Sequence, residues 1–193
     1  MIRNSKRGWG FVSRAFHWLM ALLILGMLGL GFYMVRIEMD LVNQYNEIQW
    51  HKSFGVSVFA LAFFRLAWRK LSPDHPSLPG DTPAWQVKAA RYSHIALYVL
   101  MFTLPITGWL MASASPLNDV DAFPFQIRNT VFDLFELPDP FPKGSQFLRD
   151  ALKIIHLAAA LALAAVLLVH TLAAFKHHFV DGDNVLRRML IGR

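Results

Sequence analysis

Four stretches of the chain are apolar over the length that a bilayer demands, and its charged residues crowd between and beyond them. Residues 15–35, 50–68, 92–114 and 154–175 each read as a helix of ~17 to 25 residues, enough to cross a hydrocarbon core ~30 Å thick, with 50–68 slightly short. The fold expected is all-α, an integral membrane four-helix bundle. Four spans and their connections consume nearly all of residues 1–193, so one domain is expected. Pro105 and Gly108 interrupt the third stretch, where a bend but no break is expected, because neighbouring groups in a membrane bundle re-satisfy the freed backbone. Hydrophobic residues make up 55% of the chain, above the balance of a soluble core.

The fourth stretch carries two imidazoles where ionisable groups are otherwise nearly absent. His156 and His170 stand fourteen residues apart, within roughly 40° of four whole turns and ~21 Å along the axis. Both rings therefore leave one face of one helix at two depths. Polar groups in lipid point inward toward a ligand, and neutral imidazole binds iron well, so the spacing predicts axial ligation of two haems, stacked between the helices. The chain has no cysteine, which excludes thiolate-held clusters, covalent haem attachment and thiol redox chemistry, and leaves non-covalent haem b.

Depth assigns the remaining histidines. His17 opens the first span at the level of His170, and His51 opens the second at the level of His156. Depth alone leaves His94, near the start of the third span, as a competitor at the His17 and His170 level. Room for a macrocycle would come from small residues such as Gly26, Gly29, Gly31 and Gly55, which otherwise serve helix packing. Arg14, Lys52, Arg65 and Arg91 lie near the right levels to meet haem propionates, or to anchor at the interface.

Charge sets the expected orientation. Arg3, Lys6, Arg7 and Arg14 precede the first span, which is too long for a signal peptide and lacks a small-x-small cleavage site, so it reads as retained. Arg69, Lys70, Lys88, Arg91, Lys176, Arg187, Arg188 and Arg193 fall on the same side, predicting that both termini are cytoplasmic. Glu38, Asp40, Glu47, Asp119, Asp121, Asp133, Glu136, Asp139 and Asp150 fall opposite. The net charge of +6 thus reflects topology and anionic lipid, not nucleic acid. Between the third and fourth spans, residues 115–153 carry five prolines and six phenylalanines, Phe123, Phe125, Phe132, Phe135, Phe141 and Phe147. Such a loop is expected to fold over the outer mouth or lie in the interface.

The strings SRAFHWLMA, WHKSFGV, ARYSHIALYVLMFTLPITGWLM and HLAAALALAAVLLVHTLAAFKHHFVDGDNVLRRM resemble the bacterial cytochrome b561 family, related to the cytochrome b subunits of membrane hydrogenases and formate dehydrogenase. The resemblance implies two b-type haems held by His17 with His170 and by His51 with His156, leaving His94 as a quinone or haem-rim contact. It implies a multi-pass protein of the bacterial inner membrane that passes electrons from a periplasmic donor, superoxide among the possibilities, to the quinone pool. A haem-bearing anchor subunit of a dehydrogenase or reductase is the alternative; a histidine-lined metal transporter would need mid-membrane carboxylates that these spans lack. His177 and His178, adjacent on a helix, point about 100° apart and cannot readily chelate one ion without a third ligand.

Overall fold

The structure is a computed structural model that describes residues 1–37, 40–77, 82–119 and 128–192. Glu38, Asp121, Phe123, Phe125 and Arg193 lie outside the described residues. Helices α1 (Phe11–Arg36), α2 (Leu41–Leu71), α3 (Ala84–Ser113) and α4 (Gln146–Phe179) are long, and α5 (Val185–Ile191) is a short tail helix. All four long helices begin before their apolar stretches, and in α2 and α4 the added N-terminal turns are held by polar caps that hydropathy does not register. Asp40 caps α2 by accepting from the backbone N–H of Val42 and Asn43, both at 2.9 Å, and the Ser145 hydroxyl caps α4 at Leu148, each cap being worth about 1 kcal/mol.

Among the described residues α1, α3 and α4 are long and apolar enough to cross a membrane, and little of each is buried inside the protein. Leu22, Leu161 and Val169 are more than 60% exposed, an arrangement that water would penalise and lipid tails would not. The polar first half of α2, LVNQYNEIQ, lowers its mean hydropathy, although Phe63 and Phe64 on its second half face outward as well. Helix α3 runs unbroken through Pro105.

Packing joins α1 to α2, α2 to α3 and α3 to α4. At one end the terminal segments meet: the Trp18 indole N–H donates to the Met189 carbonyl at 3.0 Å and Arg14 to that of Leu190 at 2.8 Å. At the other end a hairpin of β1 (Thr130–Val131) and β2 (Phe135–Glu136) closes through a turn in which Leu134 N–H reaches the Val131 carbonyl at 2.9 Å. Both turn residues, Phe132 (φ 49°) and Asp133 (φ 55°), are left-handed, an unfavourable conformation for an aromatic residue. Docking offsets that strain. Phe132 N–H donates to the Ser53 hydroxyl at 2.8 Å, its ring sits edge-on to Trp50 and Phe54, and Lys52 reaches Asn129 Oδ1 at 3.1 Å. The described part of the loop thus folds back on the helix end that carries His51.

Candidate functional site

Each long helix repeats one register. His17 and Gly31 on α1, His51 and Arg65 on α2, His94 and Gly108 on α3, and His156 and His170 on α4 are all fourteen residues apart. The midpoints of these pairs, Ile24, Val58, Met101 and Leu163, are 8%, 6%, 5% and 3% exposed and belong to one core cluster with Met20 and Ala62. The interior is therefore three layers deep: a polar layer near the termini, a dry apolar layer, and a polar layer beneath the hairpin. Seven residues are nearly two turns, so one face of each helix serves all three.

Near the termini, the rings of His17 and His170 lie 6.2 Å apart between centroids, and His94 lies 5.5 Å from His170. Arg65 Nη2 lies 3.1 Å from His17 Nδ1, and its guanidinium also faces the Tyr98 ring at 5.8 Å. Beneath the hairpin, His51 and His156 lie 6.4 Å apart. The other two helices contribute glycines there. A Cβ at Gly31 would stand 3.3 Å from His51 Cε1, and one at Gly108 would stand 3.2 Å from His156 Cε1. By contrast Gly26 and Gly29 face open space, and Gly55 meets Met27 at an ordinary 3.7 Å.

Two imidazoles on opposite sides of one metal ion, each nitrogen about 2 Å from it, have ring centres about 6 Å apart. The pair beneath the hairpin meets that separation in a setting suited to a flat macrocycle, with glycines on both flanks and the buried Nδ1 of His51 lacking a hydrogen-bond partner among the described residues. The pair near the termini meets it too, with one condition. Arginine only donates, so its contact with Nδ1 places the His17 hydrogen on Nε2; to present Nε2 to iron, the ring must give up that contact. A haem carboxylate is the acceptor that would draw Arg65 away. The residues fit haem at both levels.

Of the other cations expected at the haem rim, Arg14 is tied to the tail helix, Lys52 to the hairpin, and Arg91 is exposed. His177 Nδ1 lies 2.6 Å from Asp183 and 3.3 Å from Asp181, Lys176 also holds Asp181 at 2.7 Å, and the His178 ring sits edge-on to Phe179. Sequence reasoning missed Thr107, buried in α3, whose hydroxyl lies 3.0 Å from His156 Nδ1. Its signal was available: Thr107 precedes the glycine fourteen residues beyond His94.

A helical membrane protein whose polar interior is imidazole facing imidazole has the donor set of a membrane haem protein. Residues 8–192 match prokaryotic cytochrome b561, and the chain belongs to that family, whose members bind haem b and transfer electrons in the membrane. It is 34% identical over 188 residues to cytochrome b561 homolog 2 of Escherichia coli, covering 97% of this chain and 93% of that protein. It is 31% identical to cytochrome b561 homolog 1 of the same species, and 30% identical to a probable superoxide oxidase, CybB, of Yersinia pestis, each match covering 72% of both chains.

Proposed function

We propose that the chain, as one domain over residues 1–193, is a bundle of four membrane-spanning helices with α2 as the fourth span. It holds two haem b, one between His17 and His170 and one between His51 and His156, and carries electrons from a periplasmic donor to the quinone pool of the bacterial inner membrane. The observation that supports this most is the shared register, which gives each end of the bundle a facing pair of imidazoles. When bound, the haems would supply one-electron chemistry at iron held by two imidazoles each, suited to passing electrons and not to binding oxygen.

The chain's residues supply the rest. Two histidines at each level fix the iron, Gly31 and Gly108 leave room, the apolar midlayer excludes water, and Arg65 balances carboxylates at the inner level. The Yersinia relative's name supports superoxide as donor. Two superoxide ions would each give one electron and leave as oxygen, and one quinone would take both electrons with two protons to become quinol. The test is haem content by pyridine haemochrome, expected at about two per chain, together with superoxide-driven quinone reduction by the purified protein. A content of one haem or none sinks the proposal.

His94 separates the ligand set from its neighbours. The His17 and His170 separation is the closer match to a shared iron, while His94, 5.5 Å from His170, is placed to hydrogen-bond a quinone oxygen. His94→Ala is expected to keep both haems low-spin and slow quinone reduction, whereas His17→Ala loses the inner haem or leaves it high-spin. Spectra and quinone kinetics of both variants check this; loss of a haem from His94→Ala alone reverses the assignment. The positive-inside rule further predicts that a reporter fused after Arg193 is active in the cytoplasm, and periplasmic activity of that fusion would invert the topology.

A further inference from the structure

Thr107 is 8% exposed, and its hydroxyl oxygen has three neighbours: the Thr103 carbonyl at 2.8 Å, the Leu104 carbonyl at 3.1 Å and His156 Nδ1 at 3.0 Å. A hydroxyl has one hydrogen to give. Threonine within a helix commonly spends it on the carbonyl a turn back, which here is also the shortest of the three contacts. What then faces His156 is a lone pair, and two lone pairs 3.0 Å apart in a dry interior would repel, so Nδ1 must carry the ring's hydrogen and donate it. A neutral imidazole has a single N–H, and with it on Nδ1 the lone pair is on Nε2. That is the tautomer a metal needs.

We propose that Thr107 is a positioning residue for the outer haem, fixing His156 as the Nδ1–H tautomer and strengthening its Nε2 as an iron donor by accepting that hydrogen. This rests on His156 being an iron ligand, as proposed above. Acceptors behind a metal-bound histidine orient the ring and raise its basicity. The helix that supplies the acceptor also supplies the clearance, since Gly108 is the next residue and its missing Cβ would lie 3.2 Å from His156 Cε1. The opposite ring is held differently. His51 Nδ1 is buried without a hydrogen-bond partner among the described residues, and Gly31 packs against the ring edge. Of the two rings that would hold this iron, His156 is thus anchored through its rear nitrogen and His51, among the described residues, by packing.

The sign of the effect follows. A more basic ligand favours ferric over ferrous iron, so removing the acceptor raises the reduction potential. Thr107→Val keeps the side-chain shape and deletes the hydroxyl acceptor, leaving His156 only the Leu104 carbonyl, which also reaches the ring, whereas Thr107→Ser keeps the hydroxyl. With the purified holoprotein, redox titration and ferric EPR are read for wild type and both variants, with the outer haem assigned from His51→Ala. The expected result for Thr107→Val is two retained haems, an upward shift of the outer potential with an altered outer EPR signal, and an unmoved inner haem; Thr107→Ser returns to wild type. Loss of the outer haem from Thr107→Val but not from Thr107→Ser supports the proposal equally. Wild-type potential and EPR in Thr107→Val, or a Thr107→Ser protein displaced as far as Thr107→Val, overturns it. Failure of the underlying reading looks different: His156→Ala would then keep both haems whatever Thr107 did.

Discussion

His156→Ala and His51→Ala are each expected to cut haem content from about two per chain to about one, because on the proposed reading these two residues hold the same iron. The facing rings are 6.4 Å apart and no other histidine belongs to that layer, so no neighbouring imidazole can substitute. The remaining haem should stay low-spin, since the residues proposed to hold it, His17 and His170, lie beyond the Ile24, Val58, Met101 and Leu163 layer. Pyridine haemochrome analysis with low-temperature spectra checks both statements. Equal loss of both haems from a stably inserted variant would show that the levels are not separate sites.

Gly108→Leu is expected to do the same by sterics alone, without touching a ligand. The first added carbon would already stand 3.2 Å from His156 Cε1, and a branched side chain beyond it would occupy the space beside the ring; overpacking of this kind costs about 1–3 kcal/mol or displaces the neighbour. On the proposed reading, displacement of His156 loses the haem it helps to hold and leaves the one between His17 and His170. Gly26→Leu is the control, since nothing lies within 4 Å of a Cβ at that position. Haem content measured on both variants decides it: equal content in the two would mean that the glycine at Gly108 is not needed for clearance.

Much of this arrangement was legible in the chain. The four apolar stretches lie on the four long helices, and depth grouped His17 with His170 and His51 with His156, the rings now found adjacent. The polar start of α2, residues 41–49, was not legible as helix because hydropathy ignores a carboxylate cap such as Asp40. The hairpin at residues 130–136 was hidden because its turn uses Phe132 and Asp133 where glycine or asparagine would have signalled it. Depth could not separate His94 from His17, and their neighbours explain why: both rings belong to one layer around His170. Thr107 escaped notice because one hydroxyl in an apolar helix ordinarily bonds its own backbone, which this one also does.

The dry layer between the two polar ones bears on voltage. Ile24, Val58, Met101 and Leu163 offer no proton-carrying group on their side chains, so on the proposed reading an electron passing between the haems has no proton moving beside it. Each transfer then displaces uncompensated charge over ~21 Å of a ~30 Å hydrocarbon core. Moving one charge across the whole membrane is worth about 2.3 kcal/mol per 100 mV, so this passage would feel roughly two thirds of that. With electrons travelling inward against a potential negative inside, an energised membrane would slow the exchange and a collapsed one would release it, making the protein a current source whose output depends on the charge already stored across the bilayer.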